Sequence, residues 1–155
     1  MNTPYKFNLL YRANRDGNTP EGFHAKCDNK GATIIVVKIQ NSEHMVGGYN
    51  PLFWDSSNSN KSTKDSFIFS FTDRNNLQTA KVGYIKDGRY ENAVYSSQNY
   101  GPRFGGGHDL WQFNNLNNNN NTWGINNPYS YSKIDTPEEY NINSSYKIFN
   151  MENYE

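Results

Sequence analysis

The sequence predicts a mainly β chain built as an antiparallel pair of sheets, and three observations carry that reading. Short apolar runs recur between Gly, Asn and Pro punctuation, as strands do in sandwiches. One helix start is well signalled and strands never alternate with long helical patterns, which excludes bundles and doubly wound folds. Aromatic residues make up 15% of the 155 residues, with 12 Tyr, 9 Phe and 3 Trp. Such side chains bury large areas, so they supply a core that a hydrophobic fraction of 34% and a mean hydropathy of −0.97 would not promise alone. The length suits one domain.

Residues 7–11 (FNLLY) read as a short apolar strand, followed by a turn at residues 15–18 (RDGN). Thr19 as N-cap, Pro20 at the first helical position and Glu21 in the first turn predict a short helix over residues 20–28. Phe23 and Cys27, four apart, share its face, and Asn29 and Gly31 end it. Residues 32–40 (ATIIVVKIQ) have the β-branched, nearly continuous pattern of a strand buried on both faces, and residues 44–49 pair with it across Asn41, Ser42 and Glu43.

GGYNPLFW, residues 47–54, holds two glycines, a proline and three aromatics and describes a strand ending in an aromatic-packed turn; Gly47, Gly48, Tyr49, Pro51 and Trp54 are its signature. After a polar loop at residues 55–65, SFIFSF brings Phe67, Phe69 and Phe71 in a core strand. Residues 79–86 and 89–96 around Asp87-Gly88 read as a hairpin with a two-residue type I′ turn. GPRFGGG, residues 101–107, is an irregular crossing, and DLWQF, residues 109–113, a further strand. Residues 114–122 form an Asn-rich loop insertion, and a last strand starts near residue 145.

Charge and cysteine content narrow the function. With 15 basic and 15 acidic residues the net charge is zero, so no long-range field draws nucleic acid or anionic lipid. A lone Cys27 forms no internal disulfide, and no apolar run approaches a signal or a membrane span, which together point to the cytoplasm and against membrane insertion.

Candidate chemistry is sparse. Cys27 and His24 lie three apart on the helix, the pattern of an activated thiol, and equally of two side chains sharing a helix face. His24, His44 and His108 with Asp28, Asp55 and Asp109 fall in no recognised metal spacing, so no metal or cofactor is expected. Gly105, Gly106 and Gly107 lack the Lys-Ser/Thr continuation of a phosphate loop. Tyr95, Tyr100, Arg103, Phe104, His108 and Trp111 form either a recognition surface, since interfaces favour Tyr, Trp and Arg, or the core at one end of the sandwich.

In order, RDG (15–17), FHAKCDNKGATIIVVK (23–38), GGYNPLFW (47–54), SFIFSF (66–71), GPRFG (101–105), DLW (109–111) and FNMENYE (149–155) resemble a TLDc domain, here spanning residues 5–155. The resemblance implies a two-sheet antiparallel β-sandwich with short flanking helices and no accepted catalytic mechanism. It also implies a non-catalytic protein-interaction module linked to oxidation resistance and to binding of the vacuolar proton-pumping ATPase. The alternatives are a hydrolytic or thiol redox enzyme using Cys27 and His24, although no second Cys can resolve a sulfenic acid within the chain, and a partial copy without function. The last expectation comes from the ends: the segment preceding the LLYR-like strand in relatives is missing, and the closing strand stops at Tyr154 and Glu155.

Overall fold

The computed structural model describes residues 7–113, 122–126, 128–136 and 146–154. Two helices, α1 (Ala13–Asp16) and α2 (Pro20–Cys27), precede ten strands: β1 (Thr33–Ile39), β2 (Met45–Asn50), β3 (Ser59–Lys61), β4 (Phe67–Phe71), β5 (Ala80–Tyr84), β6 (Val94–Ser96), β7 (Arg103–Phe104), β8 (Leu110–Phe113), β9 (Thr122–Asn126) and β10 (Tyr146–Tyr154). All neighbours pair antiparallel, in the order β3-β6-β7-β8-β9-β10-β1-β2-β4-β5.

The nine residues of β10 make this ladder into two sheets. Its first half pairs with β9, from Tyr146↔Asn126 to Asn150↔Thr122, and its second half pairs with β1, ending at Val37↔Tyr154. Lys38 faces Asn153 and Ile39 faces Met151, so one residue bulges at the crossover, the device by which a strand bends from one sheet into the next. The sandwich expected from sequence is thereby formed. Among the described residues the order ends at β3 on one side and β5 on the other.

One core fills the space between the sheets. Ile35, Val37 and Ile39 of β1, Val46 of β2 and Ile68 of β4 meet Val94, Phe104, Leu110, Trp123 and Ile125 of the second sheet. Trp54 closes one end. Its ring stacks edge-on against Phe23 of α2 at 5.6 Å and Phe104 at 5.7 Å, and its Nε1 donates to Thr33 Oγ1 at 2.8 Å. The GGYNPLFW motif explains itself here: a Cβ on Gly48 would lie 2.5 Å from Phe104 Cζ, and one on Gly47 would lie 2.1 Å from the Ile35 carbonyl oxygen and 2.3 Å from Phe69 Cζ. Two aromatic rings approach the same strand from opposite faces, and only glycines leave them room.

Several sequence expectations hold and several are corrected. α2 begins as expected, with the Thr19 hydroxyl accepting from Gly22 N at 3.1 Å and Pro20 inside the first turn. Residues 7–11 form no strand; the segment passes irregularly into α1, because apolar character alone does not make a strand. β1 is buried on one face only, with Ile34 42% exposed.

SFIFSF turns Ile68 and Ser70 inward, whereas Phe67, Phe69 and Phe71 line the outer face with Tyr49 and Tyr84 at ring separations of 5.2–6.5 Å. Residues 79–96 form no hairpin: β5 pairs with β4, whereas β6 pairs with β3 and β7 in the other sheet. Of the two turn residues Gly88 alone takes a positive φ, of 76°, so the type I′ geometry that would fold the strands back together is absent. GPRFGGG contains β7, and the loop at residues 55–65 contains β3. Thr122 opens β9, while the rest of the Asn-rich stretch lies outside the described residues.

Candidate functional site

Strand register assembles a row across the outer face of the second sheet. Tyr95 of β6 pairs with Arg103 of β7, and Arg103 pairs with Trp111 of β8; Asn60 of β3 extends the row at one end and Gly124 of β9 at the other. Successive side chains of a strand point to opposite faces, so the adjacent Val94, Phe104 and Leu110 face the core, each 0% exposed. A Cβ on Gly124 would lie 2.4 Å from Trp111 Nε1, and the glycine leaves that space to the indole.

Arg103 sits in an aromatic cage. Its guanidinium carbon is 4.5 Å from the Tyr100 ring centre, 4.7 Å from Tyr95 and 5.6 Å from Trp111, and only 7% of the residue is exposed. Ring faces attract a cation, by about 0.5–2 kcal/mol each. They do not neutralise it. Among the described residues the guanidinium has no hydrogen bond or ion pair, and Nε is buried without a partner. Burial accordingly pushes its pKa down, against the opposing influence of Tyr100 and Tyr95.

Arg103 lines a cleft of about 580 Å³ with Asn60, Asn92, Tyr95, the glycine run, His108 and Tyr129. His108 stacks edge-on against Trp111 at 5.3 Å, and Arg89 lies 4.1 Å over the Tyr129 ring while donating to its hydroxyl at 2.6 Å. The glycine run is a poor anion nest, because a nest needs successive free amides and two of its three are used internally: Gly105 N donates to Ala93 O and Gly106 N to Ser130 Oγ, and the following His108 N donates to Gly105 O.

Asp109 holds this turn together, a role the sequence did not signal. Its Oδ2 accepts from the backbone amides of Tyr129, Ser130 and Tyr131 at 2.9, 2.8 and 2.9 Å. Burial pushes its carboxyl upward while the three amides pull it down. Gly105 is required on two counts, a φ of 84° and a Cβ position 2.1 Å from Asp109 Oδ1.

The residues expected at the surface divide cleanly. Tyr100, Arg103, His108 and Trp111 come together; Phe104 does not belong with them, because the period of the strand turns it into the core. Tyr129, Asn60 and Asn92 were missed, since only register and the chain's return after β9 bring them to the cleft.

The thiol alternative is not assembled. His24 spends Nδ1 on Asp28 Oδ1 at 2.7 Å and Nε2 on the carbonyls of Ser97 and Tyr100 at 2.8 and 3.0 Å, and so ties α2 to the loop that carries Tyr100. Cys27 is 5% exposed, and its thiol is pushed up to about 12, chiefly by burial and further by Asp28 and Asp16. A thiol nucleophile needs a lowered pKa and access. Among the described residues no cluster of three or more His, Cys, Asp or Glu is placed to hold a metal ion.

Two measurements check this reading of Cys27. Maleimide labelling of the native chain at pH 7 is expected to follow unfolding rather than direct attack; rapid labelling of the folded protein would refute it. The unfolded thiol ionises near 9.0 and the folded one near 12, so between those values the native state holds more protons. Stability is therefore expected to fall from pH 9 upward at about 1.4 kcal/mol per pH unit, with the buried Tyr131 phenol, also raised by burial, adding to the loss. A flat denaturant midpoint across that window would contradict it.

A family model described as TLDc domain matches residues 2–155. No curated protein matches the chain. Among the described residues no helix is long and apolar enough to cross a membrane.

Proposed function

Because the chain belongs to the TLDc family, we propose that it is a non-catalytic interaction module whose contact face is the outer surface around Tyr100, Arg103, His108 and Trp111. The observation that carries this reading is the caged, charge-unpaired Arg103 lining an open cleft. Arg, Tyr and Trp are the residue types that dominate binding energy at interfaces. Support for the absence of a catalytic role comes from Cys27 and His24, whose thiol is buried and whose ring nitrogens are engaged. Resemblance to the family supports the finer reading, that the module acts in the cytoplasm in protection from oxidative damage, in binding vacuolar proton-ATPase subunits, or in both.

The test is capture of the assembled proton-ATPase from a cytosolic and membrane extract by the immobilised chain, beside a folded Tyr100→Ala/Trp111→Ala variant. The parent is expected to retain the complex and the variant to lose about tenfold or more in affinity, as removal of central aromatic contacts does. Absence of any ATPase subunit from the parent's eluate would remove the finer reading, and equal capture by both chains would remove the contact face.

A further inference from the structure

We infer that the Arg103 cleft is a carboxylate-binding site that takes an Asp or Glu side chain of the partner polypeptide. The inference rests on the contact face proposed above and adds the chemistry that the face selects. An arginine of which only 7% is exposed is costly to hold without a counter-charge, and among the described residues none pairs with it: no acidic residue stands in the row Asn60, Tyr95, Arg103, Trp111, and Asp109 commits its Oδ2 to the three amides of residues 129–131. Its Nε is enclosed without a partner, and the residue lines an open cleft.

The geometry favours a carboxylate over a phosphate. Tyr95, Tyr100 and Trp111 surround the planar guanidinium at 4.5–5.6 Å and give it a partly apolar setting that suits a flat, singly charged group. A phosphate dianion calls for several donors, yet the amides of Gly105, Gly106 and His108 are spent within the protein, which leaves Gly107 N as the one backbone donor of this run. A second cation, Arg89, is engaged with Tyr129 of the cleft lining. It adds field without adding a second fork.

The test uses the isolated folded chain and reads the side-chain Nε–Hε resonance of Arg103. Titrants are an acetylated, amidated tripeptide with a central glutamate, its glutamine counterpart, and inorganic phosphate, all at one ionic strength. The glutamate peptide is expected to shift the resonance saturably, with affinity about tenfold or more above that of the glutamine peptide, as a charge-assisted pair requires. Arg103→Lys, which keeps the charge and loses the fork, is expected to lose most of that preference, read from the Trp111 indole resonance.

Arg103→Met is expected to remove the response and to melt at or above the parent temperature, because an uncompensated buried charge is replaced by an apolar side chain. Phosphate saturating more tightly than the glutamate peptide, or no saturable response to any titrant, would overturn the inference. So would a steep fall in the melting temperature of Arg103→Met, which would make the cage a structural device. The titration contains no partner protein, so it fails or succeeds separately from the ATPase capture.

Discussion

Asp109→Ala is expected to lose about 3–5 kcal/mol, because three backbone amides lose one charged acceptor and two of them, on Ser130 and Tyr131, belong to fully buried residues. For a chain of this length that is a fall in melting temperature of roughly 10–15 °C. The damage should not stay local. The segment that Asp109 holds carries Tyr131, whose hydroxyl donates to Ala93 O at 2.7 Å beside β6, and Ser130, whose Oγ accepts from Gly106 N. Release of that return segment loosens the cleft and the core together. Asp109→Asn keeps one acceptor oxygen and is expected to lose less, so the order parent, Asn, Ala in thermal denaturation checks the hydrogen-bond argument; equal melting temperatures for parent and Ala variants would refute it.

Gly47→Ala is expected to cost on the order of 3 kcal/mol although it adds a single methyl group. The new Cβ falls 2.1 Å from the Ile35 carbonyl oxygen and 2.3 Å from Phe69 Cζ, and the first of these is backbone within the β1-β2 ladder that cannot swing aside. Relief therefore requires the central strands to separate. Gly17→Ala is the control for composition alone: that glycine has nothing within 4 Å of its Cβ position, so its cost is confined to its φ of 88°. Denaturant midpoints decide the matter, and a Gly47→Ala chain as stable as the parent would mean that the sheet is not packed as described.

What was legible in the sequence was local. The Thr19 cap and Pro20 start α2 through contacts within one turn, and Asn41, with a φ of 56°, turns β1 into β2, so neighbouring residues sufficed to read both. The errors arose where pairing is decided at a distance. Asp87-Gly88 is a genuine turn, yet its strands enter different sheets, and residues 7–11 are apolar yet form no strand. β3 hides in a polar loop because an edge strand needs little apolar character.

The candidate site shows the same division. Residue type alone marks Arg103 and its aromatics in the sequence. That Phe104 departs from the set follows from strand alternation once β7 is recognised. That Tyr129 and Asn60 join the cleft, and that no acid among the described residues pairs with Arg103, depend on contacts between residues far apart in the chain, which no motif records.

The central claim is that the cleft face at Arg103, rather than the aromatic outer face of the first sheet, meets the partner. The most direct measurement compares Arg103→Met with Tyr84→Ser, a substitution on a residue 64% exposed beside Phe67, for partner affinity and melting temperature in the same preparation. The expected result is an Arg103→Met chain at least as stable as the parent with partner affinity reduced about tenfold or more, and a Tyr84→Ser chain that binds as the parent does. Unchanged affinity for Arg103→Met together with lost affinity for Tyr84→Ser would contradict it and move the contact face to the other sheet.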